Sequence, residues 1–299
     1  MNPGPVQSTH YMYTKILVPL DGSGLAEQVL PYARIMAEVY GIPVELLQVH
    51  DPDIRTPFWP ELPGGDYLQR VSGQLPSALR VDLIEERGKP AEVIVDRAKG
   101  APTCLIAMAT HGLAGMRRWL LGSVASKVAY ATSNPLLFIR PAEDQDPAKR
   151  IELRTVFVPL DGSGLAEKIL PHVCSLARKM KLEVHLVRVY AMPPEAYVVG
   201  NGVYMQSLAQ QREVIQKEAE SYLDDKVQQL RAEGLSEVIS TALEGNPGGE
   251  IIDLACNTPN SLIAISSHGR SGVSRWILGS VAEKVIHYSR DPVLVIRPE

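Results

Sequence analysis

The chain has 299 residues, of which 45% are hydrophobic and 21% charged, and its formal net charge is −4. These values are typical of a globular protein with a sizeable core, and they exclude a broad basic surface for nucleic acid. Three scattered cysteines, Cys104, Cys174 and Cys256, are too few for a disulfide framework or a zinc site, so we expect small core residues in a reducing compartment. No apolar run approaches the roughly 20 residues of a membrane helix, and the N-terminus does not resemble a secretory signal. The sequence therefore predicts a cytoplasmic protein without membrane contact.

An internal repeat indicates a tandem duplication. Residues Val18–Glu27 read V-P-L-D-G-S-G-L-A-E, and Val158–Glu167 repeat the same ten letters. The offset between the copies is 140 residues here and 157 at the related segments that begin with Asn134 and Asp291, so the second half carries 17 additional residues. The repeat predicts two domains, residues 1–145 and residues 146–299.

Strand and helix patterns alternate along the first half. The apolar run Lys15–Leu20 predicts a parallel strand buried on both faces. A turn then leads into a predicted helix over Gly24–Tyr40, which Pro31 should kink and Gly41 should end. This alternation predicts βαβ units and a mainly parallel sheet. Further strands are predicted at Pro43–His50, Arg80–Glu86, Cys104–Ala109 and Leu136–Arg140, and further helices at Ala91–Lys99 and Val124–Thr132.

The two halves differ between their second and third strands. In the second half, Tyr204–Glu233 has the apolar periodicity of a long amphipathic helix. In the first half, the prolines of Asp51–Gly65 exclude a helix, so we expect a long loop or a flap there. At most a short helix should follow, within Tyr67–Leu79.

A glycine-rich loop follows an apolar strand in each half. Its copies read A-T-H-G-L-A-G-M-R-R-W-L-L-G-S (Ala109–Ser123) and S-S-H-G-R-S-G-V-S-R-W-I-L-G-S (Ser266–Ser280). Each ends in a Gly-Ser pair that opens a helical pattern, where unpaired backbone N–H groups and the helix dipole favour an anion. Ligands of open α/β sheets bind outside the carboxyl ends of the strands, where Asp21 and Asp161 are also expected. An acidic residue facing an anion-binding loop suits a nucleotide.

The same residues also have purely structural interpretations. Gly112 can be a turn glycine, Ser123 a helix N-cap, and Asp21 an Asx-turn residue. Ser280 and Glu283 have the spacing of a capping box, which needs no ligand. The binding interpretation is favoured because several small and polar residues fall at the same sheet edge in both halves.

Other features of the loops narrow the chemistry. His111 and His268 lack a second ligand at metal-binding spacing, so we expect them to order the loop and not to hold a metal. Arg118 and Arg275 occupy matching positions, either to reach a phosphate or to lie on a solvated face. The chain has no P-loop, no complete dinucleotide fingerprint and no G-x-S-x-G elbow, which disfavours the classes of protein that carry them.

Together these motifs resemble the universal stress protein family over nearly the whole chain. The resemblance rests on V-P-L-D-G-S after the first strand, G-K-P-A-E from Gly88, H-G followed by nine residues and G-S, and the terminal P-L-L-F-I-R and P-V-L-V-I-R segments. It implies an α/β fold with two repeated doubly wound domains, each a five-stranded parallel sheet in the order 3-2-1-4-5 with helices on both faces. It also implies that the last strands, Leu136–Arg140 and Val293–Arg297, pair with each other. That pairing makes an intramolecular pseudo-twofold dimer, and a further homodimer is compatible with it.

The family contains members that bind ATP and members that do not. The motif of the ATP binders, G-x-x-G followed by nine residues and G-[ST], is matched here except at its first glycine, which is Ala109 in one half and Ser266 in the other. A side chain at that position would crowd the ligand. The resemblance implies an ATP-binding stress sensor or regulator, with Mg²⁺ bound through the phosphates. The residues implied to contact the adenine nucleotide are Pro19, Leu20, Asp21, Val49, Met108, Ala109, His111, Gly112, Gly122, Ser123 and Val124 in the first half, and Pro159, Leu160, Asp161, Val189, Ile265, Ser266, His268, Gly269, Gly279, Ser280 and Val281 in the second.

Catalysis should be slow at most, because the sequence shows no activated nucleophile and no placed general base. Two other classes of function stay open at this point. One is a nucleotide-free interaction scaffold of the same fold, in which the Gly-Ser pairs only begin helices. The other is an enzyme of the related adenine-nucleotide α-hydrolase type, which is disfavoured because no S-G-G-x-D-S loop follows the first strand.

Overall fold

The computed structural model describes residues 12–53, 65–112, 121–142, 151–192, 202–269 and 278–298. Strands and helices alternate along these ranges. The elements of the first half are β1 (Lys15–Leu20), α1 (Gly24–Glu27), α2 (Leu30–Tyr40), β2 (Val44–His50), α3 (Gly65–Ser72), β3 (Val81–Arg87), α4 (Pro90–Lys99), β4 (Cys104–Ala109), α5 (Ser123–Ala131) and β5 (Leu136–Ile139). Those of the second half are β6 (Thr155–Pro159), a 3₁₀ helix (Ala166–Ile169), α6 (Leu170–Met180), β7 (Glu183–Tyr190), α7 (Gly202–Ala232), β8 (Val238–Glu244), α8 (Pro247–Cys256), β9 (Ser261–Ser266), α9 (Ser280–Tyr288) and β10 (Val293–Ile296).

The ten strands form one continuous sheet in the order β3-β2-β1-β4-β5-β10-β9-β6-β7-β8. Each half contributes five parallel strands in the order 3-2-1-4-5, which confirms the predicted fold class. The two sets meet where β5 and β10 pair antiparallel, with Leu137 opposite Leu294. This pairing covers one edge of each five-stranded set, so that β3 and β8 are the outer strands of the described sheet.

Helices cover both faces of the sheet because the strands are apolar on both sides. Along β4, Leu105 and Ala107 belong to one apolar layer, whereas Ile106 and Met108 belong to the other. The first layer includes buried residues of α2, α3, α6 and α7. The second includes buried residues of α4, α5, α8 and α9. Packing in these two apolar layers holds the strands in place, and the loops that follow the strand ends are positioned in turn.

One predicted helix is in fact two. The prediction of a single kinked helix over 24–40 is wrong, because α1 ends at Glu27 and α2 begins at Leu30. Pro31 lies in the first turn of α2, where its missing N–H group would have no helical partner in any case, so it begins a helix and does not kink one. Gly41 ends α2 in the left-handed conformation, at φ 64°, as predicted.

The crossovers between the second and third strands differ between the halves, as predicted. The second half has the single 31-residue helix α7, whereas α3 in the first half has 8 residues. The predicted loop or flap falls mainly on residues 54–64, which lie outside the described residues. Within the described ranges, no helix combines the length and the apolar character needed to cross a membrane.

Candidate functional site

Each half has a cavity at the carboxyl ends of its central strands. The first cavity measures about 370 Å³ and the second about 330 Å³. Both lie beside the first and fourth strands of their half, which is the switch point where ligands of doubly wound sheets bind. The wall of the first cavity includes all the residues predicted there, namely Pro19, Leu20, Asp21, Val49, Met108, Ala109, His111, Gly112, Gly122, Ser123 and Val124. The wall of the second includes Pro159, Leu160, Asp161, Val189, Ile265, Ser266, His268, Gly269, Gly279, Ser280 and Val281.

Asp21 connects the loop after β1 with the loop after β4. Its Oδ1 accepts hydrogen bonds from the N–H group of Ser23 at 3.0 Å and from its Oγ at 2.6 Å, so the Asx turn is present. Its Oδ2 lies against Gly112, where a Cβ atom would overlap the carboxylate. Asp161 repeats the Asx turn, with its Oδ1 accepting a hydrogen bond from the N–H group of Ser163 at 2.9 Å, and its Oδ2 lies against Gly269. The structural and the binding interpretations of this aspartate are therefore compatible, and glycine is required opposite it.

The Gly-Ser pairs begin their helices without a capping side chain. Gly122 is the N-cap of α5 and Ser123 its first residue, and no side-chain cap hydrogen bond is present. The same is true of Gly279 and Ser280 at the start of α9. The N-cap interpretation of Ser123 and the capping-box interpretation of Ser280 are therefore wrong, because each helix begins one residue earlier. The first-turn N–H groups have no partner within the helix, and their residues line the cavity, where they can bind an anion.

Backbone contacts make both of these glycines necessary. The N–H group of Gly122 donates to the carbonyl oxygen of Thr110 at 2.8 Å, and a Cβ atom at Gly122 would lie 2.9 Å from that oxygen. In the second half, the N–H group of Gly279 donates to the carbonyl oxygen of Ser267 at 2.8 Å, and a Cβ atom at Gly279 would lie 2.9 Å from that oxygen. Any substitution of these glycines would disturb the loop itself, so it would be a poor probe of ligand binding.

The histidines of the two loops hydrogen bond to the residue before them. Nδ1 of His111 lies 2.9 Å from Oγ1 of Thr110, and Nδ1 of His268 lies 2.8 Å from Oγ of Ser267. These contacts support the predicted role of the histidines in ordering the loop. Among the residues that the structure describes, no cluster of three histidine, cysteine or carboxylate side chains is suited to a metal ion.

The central part of each loop, residues 113–120 and 270–277, lies outside the described residues. It contains Arg118 and Arg275, so neither of the two interpretations of these arginines, a phosphate contact or a solvated face, is tested.

The first glycine of the ATP binders' motif is replaced by an apolar residue, Ala109, in the first half and by a polar residue, Ser266, in the second. Ala109 ends β4 and Ser266 ends β9, and both lie in a cavity wall. Ser266 is 4% exposed, and its Oγ is buried without a hydrogen-bond partner among the described residues. Because an unpaired buried hydroxyl costs about 1–3 kcal/mol, the second half carries a polar group here that the described residues do not satisfy.

A tyrosine of the crossover helix approaches each aspartate. Burial, followed by the carboxylates of Glu27 and Asp21, raises the pKa of Tyr67 well above its usual value. Burial, followed by the hydrogen bond to Glu167, does the same to the pKa of Tyr222. Both phenols therefore stay protonated at neutral pH and do not act as bases, and that of Tyr222 donates a hydrogen bond to Glu167 at 2.9 Å.

Several wall residues escaped the sequence-based predictions, and most of them are apolar. Pro90 and Pro247, in the first turns of α4 and α8, belong to the G-x-P segments that both halves carry, so the repeat was the signal for them. An apolar wall of this kind suits a planar aromatic ring. The others are Ala26, Leu47, Ile94, Thr110, Leu121 and Ala125 in the first half, and Ala166, Val187, Ile251, Ser267 and Ala282 in the second.

Comparison with known proteins agrees with this architecture. The Universal stress protein family matches residues 12–140 and again residues 152–297. The chain belongs to this family. It is 29% identical over 144 residues to universal stress protein MJ0531 of Methanocaldococcus jannaschii, a match that covers 48% of this chain and 82% of that protein.

Two further relatives span both halves of the chain. Universal stress protein Mb2028c of Mycobacterium bovis is 23% identical over 301 residues, which covers 94% of this chain and 96% of the relative. The crystal structure of a universal stress protein from Archaeoglobus fulgidus is 21% identical, with a TM-score of 0.69 over 96% of this chain and 97% of that one. At this identity, the match to the Archaeoglobus fulgidus structure establishes the fold alone. Because the match covers both halves, that fold includes the tandem arrangement.

Proposed function

We propose that this universal stress protein binds ATP in each of its two cavities and acts as a cytoplasmic sensor or regulator of the stress response. The observation that carries the proposal is the occurrence, twice, of one combination. An uncapped helix N-terminus, an aspartate and an apolar wall line the same cavity. The helix N-terminus suits phosphates, the aspartate suits ribose hydroxyls, and the apolar wall suits an adenine ring.

The residues present fit an ATP molecule in each half. The N–H groups of Ser123 and Val124 would bind the phosphates, and Asp21 would accept hydrogen bonds from the ribose. Val49 and Met108 would contact the adenine. Mg²⁺ would enter with the triphosphate and would neutralise part of its charge, since the described residues offer no carboxylate cage for it.

Rapid hydrolysis is not part of the proposal. The polar side chains in the described wall of the first cavity are Asp21, Thr110, His111 and Ser123. Asp21 already accepts two hydrogen bonds from Ser23, and Nδ1 of His111 is paired with Thr110. We therefore expect slow turnover at most, because no strong base is held ready to activate a water molecule.

We further propose that residues 1–145 and 146–299 form two domains that act as an intramolecular pseudo-twofold dimer. The antiparallel pair of β5 and β10 supports this arrangement. A further homodimer would have to use another surface, because this edge is already paired in the monomer.

Isothermal titration calorimetry with ATP tests the proposal. We expect two sites of micromolar affinity in the wild-type protein. Val49→Trp should abolish the first and Val189→Trp the second, because each indole would fill the apolar part of one cavity. Val214→Trp is the matched control, since Val214 is 57% exposed on α7 and is not a wall residue of either cavity.

Thermal unfolding in the absence of ATP checks that each variant is folded. ATP at 100 times its Kd should stabilise the wild-type protein by about 2.7 kcal/mol per site. If the wild-type protein does not bind ATP even at millimolar concentration, the proposal fails and the nucleotide-free scaffold takes its place.

A further inference from the structure

The two helices that begin at the cavities differ in the charge of their first turn. Glu283 lies in the first turn of α9, whereas α5 has no acidic residue in its first turn and carries Ser126 at the matching position. A carboxylate near a helix N-terminus interacts favourably with the helix dipole, and it competes there with any other anion. The helix that begins at the second cavity therefore carries a competitor for a phosphate that α5 lacks, although Glu283 does not itself line the described cavity wall.

The first half of the chain binds this competitor. The hydroxyl group of Tyr130 donates a hydrogen bond to Oε1 of Glu283 at 3.2 Å, across the boundary between the halves. Tyr130 lies near the end of α5, and its own carbonyl oxygen accepts a hydrogen bond from Arg297 at 3.1 Å. Arg297 also binds the carbonyl oxygen of Ala129 at 3.1 Å. Both the side chain and the backbone of Tyr130 are thus fixed by residues of the second half.

We propose that Tyr130 is a positioning residue for the second cavity. By holding the Glu283 carboxylate at the boundary between the halves, it keeps this charge from the uncapped N–H groups of Ser280 and Val281 and leaves them to a phosphate-bearing ligand. The inference rests on the proposed nucleotide site. It makes the second cavity dependent on the first half of the chain, which supplies a residue that the second half lacks.

The first cavity needs no such residue. Ser126 stands where the second half has Glu283, and His287 stands where the first half has Tyr130. This difference supplies a matched control at the symmetric position. It also predicts that the contribution of Tyr130 depends on the charge of the ligand, because a freed carboxylate repels phosphates but not a neutral nucleoside.

The test uses the Val49→Trp protein, in which only the second cavity is open, and three ligands of falling charge: ATP, AMP and adenosine. Tyr130→Phe should lower the affinity for ATP about fivefold and that for AMP about twofold, as expected for screened charges separated by less than a Debye length. It should leave the affinity for adenosine unchanged. Adding Glu283→Gln should restore the affinity for ATP.

Calorimetry of His287→Phe in the Val189→Trp protein is the control, and the affinity of the first cavity for ATP should not change. An equal loss for all three ligands would mean that Tyr130 acts only on the packing of the second half, and no loss at all would mean that it does not position Glu283. Either result overturns the inference while leaving the nucleotide site intact. Absence of ATP binding in the wild-type protein, measured first, would overturn both.

Discussion

The two halves line similar cavities but support them with different crossover helices. The repeated ten-residue segment ends in Glu27 in the first half and in Glu167 in the second. Glu27 is buried and accepts hydrogen bonds from Arg70 of α3 at 2.7 Å and from Gln74 at 3.1 Å. The repeated glutamate is thus the anchor of the crossover helix in the first half.

The second half uses the same anchor with other partners. Glu167 accepts hydrogen bonds from Tyr222 at 2.9 Å and from Lys226 at 2.8 Å, and both residues belong to the long helix α7. The crossovers share neither length nor sequence, yet each brings a cation to the same carboxylate. A segment that lines a cavity can therefore be kept while the helix packed behind it changes, provided that the repeated glutamate, buried in the first half and half-buried in the second, keeps hydrogen-bonding partners.

The halves also differ at the turn before their last strand. Asn134 is 3% exposed, and its Nδ2 donates to the carbonyl oxygens of Ala101, Pro102 and Cys104 at 2.9, 3.3 and 3.2 Å. Its counterpart is Asp291, which offers a carboxylate in the place of that donor. The first half therefore ties two turns together with an amide, and the second half has no equivalent donor at this position.

The largest effect expected from this comparison is that of Asn134→Asp. The new carboxylate would lie among three carbonyl oxygens with no donor for them, so we expect a loss of about 3 kcal/mol in the free energy of unfolding at neutral pH. Urea denaturation followed by circular dichroism measures it. Asn134→Ser, which removes the amide without adding a charge, is the control and should cost less. Equal losses in the two variants would show that charge plays no part.

A smaller loss is expected where each half caps a helix of the other. Arg297 donates to the carbonyl oxygens of Ala129 and Tyr130 at the end of α5, and Arg140 donates to that of His287 at the end of α9. Arg297→Ala should destabilise the protein by about 2 kcal/mol, because hydrogen bonds from a charged group are lost at a partly buried site. Thermal unfolding of Arg297→Ala beside Arg297→Lys measures the effect. A transition that splits into two steps would show that this contact couples the halves.

A gain in stability is expected from Asp291→Asn. Oδ2 of Asp291 is buried without a hydrogen-bond partner among the described residues, while its Oδ1 accepts from Ser261 at 2.9 Å. An amide could donate here as Asn134 does in the first half, so we expect a gain of about 1 kcal/mol at neutral pH.

The pH dependence of this gain has a definite sign. Burial raises the pKa of Asp291, although the hydrogen bond from Ser261 lowers it in part. The folded protein therefore holds this proton more tightly than the unfolded chain, and stability falls as pH rises from about 4 through the pKa of the folded state. The advantage of Asp291→Asn should be greatest at neutral pH and should vanish below about pH 4. An advantage that does not vary with pH would contradict this assignment.

Sequence patterns predicted the strands and a mainly parallel sheet because local chemistry decides them, whereas the strand order and most of the cavity wall were implied by the family resemblance. A short continuous apolar run bounded by turns, such as Cys104–Ala109, favours a parallel strand that is buried on both faces. Of the predicted wall residues, Asp21, Val49 and His111, with their counterparts in the second half, follow from strand ends, since parallel strands bring their carboxyl ends to one edge. Most of the other wall residues came from the resemblance to the family. Pro31 was misassigned because a proline inside a helical pattern is compatible with a kink and with the first turn of a new helix. The local pattern does not distinguish the two.

The side-chain contacts between the halves left no local signal in the sequence. Tyr130 and Glu283 are 153 residues apart in the chain, and Arg297 and Tyr130 are 167 apart. The S-V-A-E segment carries the pattern of a capping box, and only the packing of the two halves reveals that Glu283 has another partner. What sequence patterns did not predict was therefore the set of side-chain hydrogen bonds between the halves.

The smallest expected effect distinguishes the two anchors of the crossover helices. Arg70 holds Glu27 through two nitrogen atoms, Nη2 at 2.7 Å from Oε1 and Nη1 at 3.5 Å from Oε2, whereas Lys226 uses a single Nζ on Glu167. Arg70→Lys should therefore cost about 0.5–1 kcal/mol, since a lysine does not reproduce the forked geometry, and the side chain of Arg70 is more than half exposed, which limits the loss. Lys226→Arg should change the free energy of unfolding by less than about 0.5 kcal/mol, because Glu167 is bound there by a single nitrogen atom and not by a forked pair. Urea denaturation of the two variants side by side measures the difference, and equal costs would mean that the anchors require only a positive charge.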